Sequence, residues 1–204
     1  MNPILLDFPD KIESNRLYIR PCLPGDGPIV HDAIIHSAPE LKKWLPFAKK
    51  EQPLEEVEEN IRKSYSAFIS REDIRLHIFR KSDDNFIGST GFHRCDWEIP
   101  KVEIGYWIDT RYSGKGYMAE AVHRLTLFAL DFFKANRIEI RCDDQNLASR
   151  RIPERLGYHL EGILRNDSVS VDDNNLLRNT CVFSLLSSEK DNFIINGERL
   201  FKSS

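Results

Sequence analysis

The chain has 204 residues, is 41% hydrophobic and 30% charged, and carries a formal net charge of -3. That balance suits one globular domain with a single sizeable core and excludes wholesale disorder. A slightly acidic chain also lacks the basic excess of a general nucleic-acid binder. No apolar run reaches the ~20 residues that span a bilayer, and the Met1–Asp10 start, with Asp7 and Asp10, does not read as a signal peptide. The four cysteines (Cys22, Cys95, Cys142, Cys181) are far apart and form no C-x-x-C pair. They read as reduced thiols of a cytoplasmic protein, not as a disulfide framework or a zinc site.

Residues 1–15 read as an N-terminal arm with little pattern. Arg16–Arg20 alternates as a first strand, and Pro21 and Pro24–Pro28 break it. A short helix is predicted over Ile29–Ile35, followed by an irregular aromatic segment holding Trp44 and Phe47. Leu54–Ser70 carries Leu54, Val57, Ile61, Tyr65 and Phe68 near one face and reads as a helix, with Pro53 at its start and Glu55, Glu56, Glu58 and Glu59 in its first turns. Ile74–Arg80 and Phe86–His93 alternate as second and third strands around a polar turn.

The fourth strand opens the stretch that organises the chain, Glu103–Met118. Tyr106, Trp107 and Ile108 favour a strand. Gly114 and Gly116 allow a sharp turn, and Met118, Ala121, Val122, Leu125, Phe128, Ala129 and Phe132 then recur at helical period. A strand, a glycine turn and a helix start make an anion site, because the first helical amides and the positive end of the dipole point at the turn. Arg111 and Lys115 add charge, so a phosphate or pyrophosphate is the expected ligand. Gly116 is followed by Tyr117 and Met118, which excludes the Walker Lys-Ser/Thr pair, and two glycines are too few for the dinucleotide fingerprint.

Downstream, Arg137–Cys142 is a fifth strand, parallel to the fourth because a helical crossover joins them. Asn146 is a natural helix cap and Gly157 a natural stop, while Pro153 frees the carbonyl of Ser149 and predicts a distorted turn. Tyr158–Arg165 and Thr180–Leu186 are the last strands, joined by a turn at Asp172–Asn175, and residues 188–204 read as a tail.

The Arg111-x-x-Gly114-x-Gly116 pattern resembles the coenzyme A loop of the GNAT acetyltransferase superfamily. Asn146, Ser149, Glu154, Leu156-Gly157-Tyr158, Glu161-Gly162 and Arg165 together resemble the Rim-type branch, similar to the N-acetyltransferases of ribosomal proteins. Arg16-Leu17-x-Ile19-Arg20, Asp26 and Phe86-Ile87-Gly88 share that likeness, which spans roughly residues 12–187. It implies one α+β domain over residues 16–187: a mixed, mostly antiparallel sheet of about seven strands, flanked by about four helices. Acetyl-CoA would enter where the fourth and fifth strands splay apart.

The resemblance assigns Tyr112, Ser113, Gly114, Lys115, Gly116 and Tyr117 to the pyrophosphate, with Arg111 and Met118 beside them. The backbone of Trp107 and Ile108 would pair with the pantetheine arm, and the Ile108 amide would hold the oxyanion. Asn146 would hydrogen-bond pantetheine or fix the splayed strand, and otherwise is a helix cap. Many of these proteins place a tyrosine seven residues after the asparagine, where this chain has Pro153; in the Rim-type branch Ser149 becomes the candidate acid. Glu103 is the candidate base, directly or through water, because a carboxylate in a central strand is desolvated and its pKa rises. No metal is implied. The acceptor is a primary amine, either a protein N-terminus or a small amine such as a polyamine, and a non-catalytic acyl-CoA sensor is the rival from another class. The assembly is expected to be a monomer or a homodimer.

Overall fold

The computed structural model describes residues 2–171 and 176–201. Eight strands form one sheet: β1 (Ile12–Glu13), β2 (Leu17–Pro21), β3 (Ile74–Arg80), β4 (Phe86–Asp96), β5 (Lys101–Ile108), β6 (Arg137–Asp143), β7 (His159–Val169) and β8 (Leu177–Leu186). Five α-helices flank it: α1 (Gly27–Leu41), α2 (Leu54–Ser70), α3 (Tyr117–Asp131), α4 (Leu147–Leu156) and α5 (Lys190–Phe201). The strand order is β1-β2-β3-β4-β5-β6-β8-β7. Among the described residues only β5 and β6 pair in parallel, as the α3 crossover requires. The predicted mixed, mostly antiparallel sheet with its α+β layering is therefore the observed one.

Period-two alternation gives each central strand two faces. On β5, Val102 and Ile104 are buried against the α3 side, in a core with Ala121, Val122, Leu125 and Phe128. On the opposite face a second core joins α1 and α2 through Val30, Ala33, Val57 and Ile61, with Trp107 packed against it. Beneath α1, Asp26 accepts from Arg20 at 2.7 and 2.8 Å and meets His77 Nδ1 at 2.8 Å. His77 is fully buried.

Both ends of the chain depart from the sequence reading. Phe8 of the arm packs edge-on to Phe68 at 5.2 Å and against Phe128 at 5.2 Å, and Ile12–Glu13 adds an eighth strand beside β2. The tail forms a fifth helix, with Phe193 stacked on His123 at 4.9 Å. Neither segment shows a sustained apolar period, so tertiary burial sets its structure. The first helix also outruns its prediction: it runs through Pro39 to Leu41, at the loss of the one hydrogen bond that an amide at residue 39 would donate. The predicted turn at Asp172–Asn175 lies outside the described residues.

Candidate active site

The sheet is barely closed at its centre. β5 and β6 pair only through Lys101–Arg137, Val102–Ile138 and Glu103–Glu139. Beyond Glu103, β5 stays bound to β4 as far as Gly88–Ile108, and β6 stays bound to β8 as far as Asp143–Thr180. Each strand keeps its outer neighbour, so the two inner edges diverge. The cavity between them has a volume of about 590 Å³ and is lined by Gly105, Tyr106, Trp107, Ile108, Ser113, Met118, Cys142, Asn146 and Ser149, among others. Unpaired strand edges present free N–H and C=O groups to whatever extended molecule enters.

At one end of the gap β5 runs into the glycine turn. Asp109 is fully buried and its carboxylate accepts from the Arg111 amide at 2.9 Å, which caps a single 3-10 turn over Thr110–Tyr112. Gly114 and Gly116 have φ of +76° and +77°, a region that disfavours every side chain with a Cβ. Glu120 N is the first amide of α3 to reach a carbonyl, that of Gly116 at 3.1 Å. The preceding helical amides therefore face the turn without intrahelical partners, as an anion site requires.

The cations there are arranged differently from the linear pattern. Arg111 donates to Asp109 at 2.9 Å and to Asp32 at 2.7 Å, so its charge is spent on bracing the turn against α1. Lys115 is exposed, and its Nζ donates to the Arg111 carbonyl at 3.2 Å. Two further arginines arrive from distant strands. Arg16 donates to the Lys115 carbonyl at 3.1 Å and lies 4.6 Å over the Tyr117 ring, while Arg80 lies 5.2 Å over the Tyr112 ring. Arg16 also binds the buried carboxylate of Glu120 at 2.7 Å, which removes an anion from the turn. No local sequence signal ties either arginine to the glycine turn, because only the sheet brings them there.

The other lip of the gap is the start of α4. Asn146 Oδ1 accepts from the Ser149 amide at 3.1 Å, so Asn146 caps the helix. The helix runs unbroken through Pro153. The Ser149 carbonyl that Pro153 frees accepts instead from the Tyr106 hydroxyl across the gap at 2.9 Å, and Ser149 Oγ lies 3.4 Å from the same phenol oxygen. Burial pushes the Tyr106 pKa upward and keeps it a phenol. Tyr106 thus joins the predicted residues as a member that the strand pattern alone did not single out.

Glu103 lies at the last paired position before the strands part. Its carboxylate is 3.2 Å from Arg94 and 3.6 Å from Arg141, yet Oε2 is buried without a hydrogen bond. Burial raises its pKa, opposed by the two guanidinium groups. Trp107, on the same face, packs against Phe47 at 6.1 Å and Phe86 at 5.8 Å.

These features recur in known proteins. The profile of the acetyltransferase (GNAT) domain matches residues 16–159. YdaF of Bacillus subtilis, which carries the provisional name of a ribosomal N-acetyltransferase, is 31% identical over 180 residues, or 86% of this chain and 94% of its own. A crystal structure described as a probable acetyltransferase superposes with a TM-score of 0.80 at 28% identity, covering 88% of this chain and 98% of the other. The ribosomal L7/L12 α-N-protein acetyltransferase RimL, solved in complex with coenzyme A, shares the fold at a TM-score of 0.79 and 19% identity, over 86% of this chain and 97% of its own. With a domain profile spanning most of its length and a relative matched along nearly the whole of both chains, this protein belongs to the GNAT family and is an acetyltransferase.

Proposed function

We propose that the protein transfers the acetyl group of acetyl-CoA to a primary amine, and that the amine is the N-terminal α-amino group of a protein. The observation that carries this reading is the seam of three paired residues between β5 and β6, which leaves two free strand edges leading to the first amides of α3, which have no intrahelical partner. A pyrophosphate fits the turn, and an amide-bearing pantetheine arm fits the edges. The names of YdaF and of RimL support a protein N-terminus as acceptor.

In this reading the amides from Gly114 into the first turn of α3 hold the pyrophosphate, since those of Tyr112 and Ser113 donate to the Asp109 and Thr110 carbonyls at 2.9 and 3.2 Å, with Lys115, Arg16 and Arg80 nearby. The edge of Trp107 and Ile108 pairs with pantetheine, and the Ile108 amide faces the carbonyl oxygen where negative charge develops. Ser149, on the far lip, supplies the proton for the departing thiolate. On the α1/α2 face of β5, Glu103 provides a carboxylate whose negative charge favours proton removal. An α-amino group has a pKa near ~8 and needs less help than a lysine near ~10.4, which suits a site without a strongly basic group.

The test follows thiol release from acetyl-CoA with peptides bearing free Ser or Ala N-termini, the same peptides blocked and carrying an internal lysine, and spermidine. Turnover confined to free N-termini is the expected result. Turnover on spermidine alone would move the acceptor to small amines, and binding of acetyl-CoA without turnover would make the protein a sensor.

A further inference from the structure

A second cavity, of about 370 Å³, opens on the α1/α2 face of β5. Its walls include Ile34, Phe47, Val57 and Trp107, and its polar members are Gln52, Asn60, Arg75, Ser89, Thr90 and His93. Both cavities are lined by Leu45 and by Gly105, Tyr106 and Trp107 of β5. Whatever lies along the inner edge of β5 is therefore reached from this side at Gly105.

His93 stands at that point. Gly91 and Gly105 are direct cross-strand partners, and His93 is opposite Glu103 one step along. A Cβ built on Gly105 would fall 2.9 Å from His93 Cδ2 and 3.1 Å from Nε2. One built on Gly91 would fall 3.1 Å from Cε1 and Nε2. Gly105 thus leaves the imidazole its room, since a Cβ there would meet the ring alone, whereas one on Gly91 would first strike the Ile74 carbonyl at 2.4 Å. Nδ1 is 2.6 Å from Asp73 Oδ1. A carboxylate there selects the tautomer that carries its proton on Nδ1 and leaves a bare lone pair on Nε2. Nε2 makes no hydrogen bond to the described residues.

We propose that His93 is the base that receives the proton of the acceptor ammonium, that Asp73 positions it, and that this cavity seats the first residue of the acceptor. The proposal rests on the acyl-transfer reading and names the acceptor side of the same site. The occupant is a small N-terminal residue, whose ammonium meets His93 and whose side chain meets the apolar wall of Phe47 and Trp107.

In the reaction, the ammonium gives one proton to Nε2 and becomes an amine. Its lone pair forms the C–N bond to the acetyl carbon, and the C–S bond breaks. The nitrogen sheds its second proton as the amide forms, so one proton ends on the thiol and one leaves through the imidazole to water. The charged groups around the imidazole are Asp73 before β3, Arg75 on β3, Arg94 beside it on β4 and Glu103 across on β5, while α2 contributes the neutral Asn60. Of these, Arg94 is turned to Glu103 at 3.2 Å. Glu103 then supports the base from behind without touching the amine.

The test combines kinetics with a readout independent of turnover. His93→Gln should lower kcat/KM for a Ser-terminated peptide about 100-fold or more at pH 7, with acetyl-CoA affinity by calorimetry changed less than twofold. The deficit should shrink as pH rises past ~8, where the free amine prevails. Asp73→Asn should show a smaller deficit and move the ¹⁵N shifts of the ring away from the Nδ1–H tautomer. Adding unacetylated Ser peptide to the wild type should perturb the His93 Nε2 resonance. Wild-type rates in His93→Gln, with Glu103→Gln alone inactive, would overturn the proposal and leave Glu103 as the base. If the wild type acetylates no amine, the functional reading falls; the peptide titration then judges the site alone, and an unmoved Nε2 resonance overturns it.

Discussion

Pro153 removes an amide from α4, and a phenol from another element takes the carbonyl left over. Tyr106 reaches across the gap to Ser149 at 2.9 Å, so one hydroxyl both satisfies the helix and sits beside the candidate acid. Tyr106→Phe should strand that carbonyl in a part-buried site and lower unfolding free energy by about 1–3 kcal/mol, read from urea denaturation. It should also reduce kcat more than it raises KM, because Ser149 loses its neighbour while the turn of amides stays intact. An unchanged urea midpoint would show that water replaces the phenol. At this scale the sequence was legible where the chemistry is local. Asn146, Ser149, Gly114 and Gly116 announce themselves by spacing, and each lies at the gap or its turn. Tyr106, Arg16, Arg80 and His93 were not legible as site members, since their partners lie in other strands. Arg111 was legible as a cation of the turn, and the structure adds what the spacing did not show, that Asp109 and Asp32 hold its guanidinium.

Among the elements, the glycine turn and the last helix make opposite cases. The turn depends on backbone conformation. Gly116→Ala keeps room for a Cβ, whose nearest neighbour would be Arg16 Nη2 at 3.5 Å, yet it must hold φ near +77°. That conformation disfavours L-residues by about 1–2 kcal/mol, so acetyl-CoA affinity should fall about tenfold in calorimetry while the circular dichroism spectrum stays unchanged. The last helix depends on space. A Cβ at Gly197 would fall 1.9 Å from His123 Nε2, because α5 lies directly against α3 there. Gly197→Val should destabilise the fold by about 1–3 kcal/mol through overpacking, with a lower thermal midpoint as the readout. The turn could be read in sequence because Gly-x-Gly between a strand and a helix has a conformational meaning. α5 could not, because a helix containing Asn196 and Gly197 has weak intrinsic preference and forms against a surface that only the folded core supplies.

For the molecule as a whole, the buried His77–Asp26 pair sets the response to acid. Burial, partly offset by the Asp26 hydrogen bond, lowers the His77 pKa from its ordinary 6.5 to about 4. The unfolded chain therefore takes up a proton near pH 6.5 that the folded chain refuses until about pH 4. Stability should begin to fall below about pH 6.5 and lose roughly 3 kcal/mol from this group before levelling off below pH 4. Asp26 is held below the usual carboxylate range despite burial, by Arg20 and His77, so its contribution persists above its unfolded pKa and is lost only in stronger acid. His77→Gln should flatten the limb between pH 6.5 and 4 in urea midpoints; an unchanged limb would place acid sensitivity elsewhere. The seam between β5 and β6 has a consequence at the same scale. A sheet joined at its centre by three residue pairs is two half-sheets, and a pantetheine arm in the gap would act as the strand that completes it. Spent coenzyme carries the same arm as the acetylated form. The contacts that speed capture therefore also slow escape, and turnover should be paced by peeling this borrowed strand away instead of by forming the amide.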